Sequence, residues 1–231
     1  MDKKLFQQFH NRIKKCCGKE IRLKNDSLTY ILDNAFPLIQ PGSDMAVLTD
    51  SWFLFFIDKY KYVTNKELLD LGAKILACHI NGTFYFSKRT LNIFSLLEKW
   101  ELVLLKRLNK FSFVIENIPT LVLLDLENKI YTSEGIGLSG VLHLQHIGII
   151  SLSSRNGIYG FKKDTNFNFN YGENQYSLKF INEQVKEILV GIAVFTEEGK
   201  EAMTLFSNLE KIGFLDYVKN EWKDTCVIEK L

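Results

Sequence analysis

Histidine and cysteine are the residues here with the most chemistry to offer, and their spacing decides how much of it can be used. His143 and His146 stand three apart in "GLSGVLHLQHIGII", Gly137 to Ile150. On a helix that spacing puts both rings on one face, where they could share a metal ion. No Asp or Glu lies within the stretch to complete a ligand set, so two chance histidines are the plainer reading and no metal is expected. Cys78 and His79 are adjacent, but neighbours on a helix point about 100° apart and do not make a nucleophile–base pair. No P-loop, GxSxG or HExxH pattern is present. "GIGLSG", Gly135 to Gly140, lacks the strand-to-helix spacing of a dinucleotide loop. No catalytic residue and no cofactor follow from these residues.

A second chemistry is contact with nucleic acid. "SRNGIYGFKKDTNFNFNYG" interleaves Arg155, Lys162 and Lys163 with Tyr159, Phe161, Phe167, Phe169 and Tyr171, a mixture suited to phosphates and to base stacking. The helix before it offers Ser139, His143, Gln145 and His146, but no Arg or Lys. The candidate nucleic-acid residues are therefore Arg155, Lys162, Lys163, His143, Gln145 and His146. Two observations weigh against them. Phe167, Phe169 and Tyr171 alternate with asparagines at the period of a strand with one buried face. Neutral histidines bring no charge to phosphate. A degenerate recognition helix should bury Leu138, Val141, Leu142 and Ile149, with His143 and His146 exposed or bonded within the protein.

The elements that must position these residues are legible in part. Residues 2–17 form a basic amphipathic helix candidate with a Leu5-Phe9-Ile13 stripe. It suits nucleic acid or an anionic membrane surface, though packing on the body or a partner is the blander use. "KNDSLTYILDNAF" begins a second helix, closed by Pro37 and Pro41-Gly42. Asp50 can cap "SWFLFFIDKYK". Thr64 and Glu67 have capping-box spacing before "KELLDLGAKILACHI", and Asn81-Gly82 stops that helix. Ser87 can cap "KRTLNIFSLL", and "WELVLLKRLNKF" follows after a break near Glu98-Lys99. From Phe113 short apolar runs with turn signals replace the helical period. "FSFVIEN", "PTLVLLD", "GIISLSS", "YSLKFIN" and "KEILVGIAVF" read as strands, each as one piece. "TEEGKEAMTLFSNL" reads as a helix capped by Thr196, and "FLDYVKNEWKD" as a last helix. The order helix, strand, long turn, strand, helix is that of a winged helix.

Composition excludes several classes. The hydrophobic fraction of 46% and charged fraction of 24% are those of an ordinary globular protein. A net charge of +2 gives no strong global pull toward nucleic acid or lipid. "WFLFFI" is far short of the ~20 apolar residues of a spanning helix. The first residues lack the apolar core of a signal peptide, and Cys16, Cys17, Cys78 and Cys226 show no zinc spacing. Free thiols in the cytoplasm are the expectation.

Two stretches go beyond generic patterning. One is Leu48 to Leu108, with Trp52 and its Phe-rich helix, "KELLDLGAKILA" and "FSKRTLNIFSLL". The other is the trio "GLSGVLHLQHIGII", "ILVGIAVFTEEGKEAMTLF" and "FLDYVKNEWK". In that order they resemble an uncharacterised bacterial family, domain of unknown function twenty-eight-oh-six, over roughly residues 45 to 225. The first stretch is also similar to abortive-infection alpha-type proteins of phage defence. The family usually has Trp where Gly72 stands, so packing there should differ. The resemblance implies a cytoplasmic bacterial or phage protein and transfers no catalytic motif.

The chain thus reads as mainly α with an α+β part. An N-terminal helical bundle, residues 1–111, precedes a winged-helix-like module with a small antiparallel sheet, residues 112–231. The expected function is a non-enzymatic cytoplasmic interaction or adaptor protein, with a protein partner or self-association. A nucleic-acid-binding regulator using the wing is the alternative.

Overall fold

The structure, a computed structural model, describes residues 26–43, 47–153, 158–162, 167–181, 187–207 and 209–231, with 158–162 and 167 described by backbone only. The basic segment 2–17 lies outside the described residues. The chain divides into two compact units that meet between Leu97 and Glu98.

Among the described residues of the first unit, all regular structure is helical. Helix α1 (residues 26–35) runs into a 3-10 turn at Phe36–Leu38 that contains Pro37. Helix α2 spans Asp50–Tyr60 and buries Trp52, Phe56 and Tyr60, a stripe at i, i+4, i+8. Its cap is Thr49, whose hydroxyl accepts the Trp52 N–H at 3.4 Å; Asp50, expected as the cap, stands instead in the first turn, where the helix dipole favours its charge. Helix α3 spans Lys66–Ile80, and its cap is Asn65 rather than Thr64. The Asn65 side-chain oxygen accepts the Glu67 N–H at 3.0 Å, and Asn caps at least as well as Thr one residue nearer the helix. Ser87 caps α4 (Lys88–Leu96) as expected.

Gly72 in α3 lies under the ring of Tyr60. A Cβ there would come within 2.6 Å of the Tyr60 ring and 3.3 Å of Ile31. Tyr60 has taken the space that a side chain at position 72 would need.

The second unit mixes helix and strand. Helix α5 (Lys99–Asn109) opens with a capping box of Glu98 and Glu101. Strands β1 (Ser112–Ile115) and β2 (Ile118–Leu121) form a hairpin whose two turn residues, Glu116 and Asn117, have φ of 49° and 66°. That left-handed pair matches the twist of the strands it joins. Pro119 sits in β2, the end strand of its sheet, where a missing N–H is tolerated. Then come α6 (Lys129–Thr132), α7 (Leu138–His146) and β3 (Ile150–Leu152). They are followed by β4 (Ile158–Lys162), β5 (Phe167–Tyr171), β6 (Asn174–Phe180), β7 (Glu187–Gly191) and β8 (Ala193–Phe195). Helices α8 (Glu197–Met203) and α9 (Phe214–Glu221) and strand β9 (Cys226–Lys230) complete the unit.

Strands β3 and β4 run out, and β7 and β8 return beside them. This long excursion after α7 stands where a winged helix has its wing. The β5–β6 hairpin is inserted at its far end and joins another sheet, of order β2-β1-β5-β6-β9. The expected single strand "KEILVGIAVF" is divided at Gly191, with φ of 136°, because the chain there crosses the Leu123 backbone too closely for any Cβ. The turn-rich stretch after β3 contains β4, and the alternation from Phe167 to Tyr171 is strand β5. Helix α8 ends at Met203, short of the expected Leu209. Phe169 and Tyr171 are buried and Asn168 and Asn170 exposed, so those rings belong to the core and cannot stack on bases. Phe169 packs on Phe113 at 4.4 Å, and Phe111 meets Phe214 at 5.1 Å.

Candidate functional site

The second unit holds an open groove of about 700 Å3 between α5 and α7. Glu98, the cap of α5, and Lys99, Trp100, Val103, Leu104 and Arg107 line one wall; Gly135, Ser139 and Gly140 line the other. The core side of α5 is Leu102, Leu105 and Leu108, all fully buried. Trp100, Val103 and Arg107 follow at i, i+3 and i+7 on another face. Trp100 is 55% exposed and Val103 37%.

Helix α7 is fastened to α5 by polar contacts. The His143 Nε2–H donates to Glu101 Oε1 at 2.7 Å, and the Trp100 ring lies 4.4 Å from the His143 ring. The other Glu101 oxygen accepts the Glu98 N–H at 2.6 Å. This buried carboxylate is thus fully engaged. Gly140 allows the close approach: a Cβ would lie 2.5 Å from the Gly135 carbonyl oxygen and 3.7 Å from Leu104. Below the groove, Glu134 takes Lys110 at 3.0 Å and Lys211 at 2.7 Å. Burial pushes the Glu134 carboxyl up, but its bonds to Lys211 and Lys110 outweigh that and leave it below the ordinary value.

The candidate residues fare unequally. His143 is a half-buried structural contact. Gln145 and His146 are exposed on α7. Arg155 and Lys163 lie outside the described residues, and Lys162 is described only as backbone of β4. Val141 and Ile149 are buried as expected, but Leu138 and Leu142 are 63% and 49% exposed. The helix core stripe is Val141 and Leu144, and at about 100° per residue Leu142 falls on the outward side. The α5 residues of the groove were not among the candidates. Their signal was present in "KWELVLLKRL": Trp100, Val103 and Arg107 share a helical face turned away from that of Leu102, Leu105 and Leu108.

Outside the groove, His79 is buried and stacks on Trp52 at 3.9 Å, and its Nδ1 has no partner among the described residues. Cys78 beside it and Cys226 in β9 are free thiols; burial pushes Cys226 up to about 11. Among the described residues no group of His, Cys, Asp and Glu could hold a metal ion, and no helix is long and apolar enough to cross a membrane.

Fold and site together define a winged-helix-like α+β unit, preceded by helices, with a solvent-open apolar groove. The chain belongs to the family of proteins of unknown function DUF2806, whose model matches residues 11–219. No curated protein and no solved structure matches it.

Proposed function

We propose that the second unit is a protein-binding module and that the α5–α7 groove is its docking surface. The outward face of α7 carries this reading. A helix that reads duplex DNA needs charged donors there to meet phosphates, and this one presents Leu138 and Leu142 beside Ser139, Gln145 and His146, with no Arg or Lys. Residues 98–231 also carry 15 Lys and Arg against 18 Asp and Glu, a net charge of −3 with His neutral, which repels phosphate. Exposed apolar side chains in a polar rim mark protein contacts, and Trp and Arg are the usual anchors. The protein is then a non-enzymatic adaptor of the cytoplasm. The likeness of Leu48–Leu108 to abortive-infection alpha-type proteins supports a place in phage defence.

A photo-crosslinking residue placed at Ser139, on the groove wall, tests the reading in cells. It should capture protein, and capture should fall when Trp100 is changed to Ala. Titration with random and genomic duplexes should show weak binding without sequence preference. Its salt slope should be no steeper than about −3, the limit for Arg155, Lys162 and Lys163 alone. Sub-micromolar, sequence-selective binding lost in His143→Ala or Gln145→Ala would establish the nucleic-acid alternative instead.

A further inference from the structure

We infer that residues 2–17 dock on their own chain as a helix, laying Leu5, Phe9 and Ile13 antiparallel along Leu28, Leu32 and Phe36 on the outward side of α1. A second stripe on α1 carries this. Its buried stripe is Ser27, Ile31 and Ala35, at i, i+4 and i+8. One residue on, and so about 100° around the axis, Leu28 is half-buried, Leu32 is 54% exposed and Phe36 is 78% exposed. Three large apolar side chains in one row make a packing face, not the scattered exposure of an ordinary surface. Helix α1 is apolar on two adjacent sides, and the described residues leave the second one open.

Spacing, connection and charge select the occupant. Leu5, Phe9 and Ile13 also repeat at i, i+4 and i+8, so both stripes run about 12 Å at the helical rise. Residues 18–25 lie between them, within the roughly 2–8 residues that join neighbouring antiparallel helices. Residues 26–38 contain Asp26 and Asp33 but no Lys or Arg, and both carboxylates are exposed. They fall beside the open stripe, on the side away from the core. Neither has an ion-pair partner among the described residues. On their far side Lys66 lies over the Tyr30 ring at 5.8 Å, and Asp70 takes the Tyr30 hydroxyl at 2.7 Å. Residues 2–17 carry Lys3, Lys4, Arg12, Lys14 and Lys15 against Asp2 alone. On a helix Lys3 and Lys14 would flank the apolar stripe on one side, and Lys4, Arg12 and Lys15 on the other. Either flank therefore brings cations to Asp26 and Asp33. A second copy of α1 would set these carboxylates against their own kind.

The test is disulfide formation within the full chain, with Cys16, Cys17 and Cys78 changed to Ser. A bridge needs Cα atoms within about 7 Å, so it reports which residues face each other. Leu5→Cys with Phe36→Cys should close about tenfold faster than two control pairs. One control, Leu5→Cys with Leu28→Cys, matches a parallel pairing. The other, Gln7→Cys with Phe36→Cys, starts from the opposite side of the helix. Asp26→Asn with Asp33→Asn should slow the fast pair about two- to tenfold at low salt, as the loss of two exposed ion pairs gives, and less at high salt. Leu32→Asp should free the segment, and the chain should then bind vesicles of phosphatidylserine and phosphatidylcholine more tightly than before. Phe36→Asp should do the same, and circular dichroism checks that each variant keeps its helices. Equal rates in all three pairs would overturn the inference. A bridge formed only between chains would make a second copy the occupant and overturn it too. Tight vesicle binding that neither Leu32→Asp nor Phe36→Asp alters would assign the segment to an anionic membrane instead.

Discussion

Replacing Tyr60 by Phe should make the protein more stable. The ring is 0% exposed, stacks on Phe56 at 4.6 Å and closes over Gly72. Its hydroxyl is buried without a hydrogen-bond partner among the described residues, and desolvation pushes the phenol well above its ordinary pKa. A buried hydroxyl left unpaired costs about 1–3 kcal/mol. Phe keeps the ring contacts and loses only the dispersion of one oxygen, about 0.1–0.2 kcal/mol for each atom pair. The net gain should be about 1–2 kcal/mol. In a small domain each kcal/mol moves the midpoint by about 4–8 °C. Urea titration followed by far-ultraviolet circular dichroism, with calorimetry alongside, measures the change. A loss of about 1 kcal/mol or more would mean the hydroxyl has an acceptor, and the reasoning would fail.

Burial lowers the His79 pKa, so the unfolded chain takes up the proton first. Its contribution is complete above about pH 6.5 and is lost as the pH falls through the lower folded value. Denaturation midpoints measured against pH should decline on that acid side, and less so in His79→Phe. Cys226, pushed up to about 11 by burial, should react with iodoacetamide at pH 8 only after unfolding, as mass spectrometry would read; prompt labelling of the native protein would contradict its burial. Gly140→Ala should cost about 1–2 kcal/mol despite the better helix propensity of Ala, because the Cβ meets the Gly135 carbonyl, and the His143–Glu101 contact should loosen in the histidine NMR resonances.

The first unit was readable because its signals are local. The stripes of α2 and α3, the Ser87 cap and the stop at Asn81-Gly82 are all short-range patterns. The caps moved by one residue where two good capping residues stood side by side. The second unit was harder. "KEILVGIAVF" is uniformly apolar, and only its approach to Leu123, far away in sequence, requires the division at Gly191. Strand β9 has few residues and pairs with β6 across α8 and α9, so nothing near it announces a strand. The groove was missed for a different reason. Attention went to polar residues on α7, whereas the apolar part of the groove is Trp100, Val103 and Leu104 of α5. Leu138 and Leu142 look like core residues until the helix axis is fixed by its neighbours.

The order of the five-stranded sheet has a consequence for how the second unit is reached from the unfolded chain. Val114 pairs with Asn170, and Phe180 with Cys226, so neither junction can form until long stretches of chain have been drawn together. Loop-closure entropy must be met before those pairings return anything, whereas the helices of the first unit draw on near neighbours. Refolding should therefore be biphasic. A fast phase would restore the helices before Leu97, and a slower one the sheet, in which the β5–β6 hairpin waits for β1 to cover Phe169. During that interval the edges of β1 and β6 stand open, and it is then, rather than in the native state, that the chain is most exposed to pairing with another copy of itself.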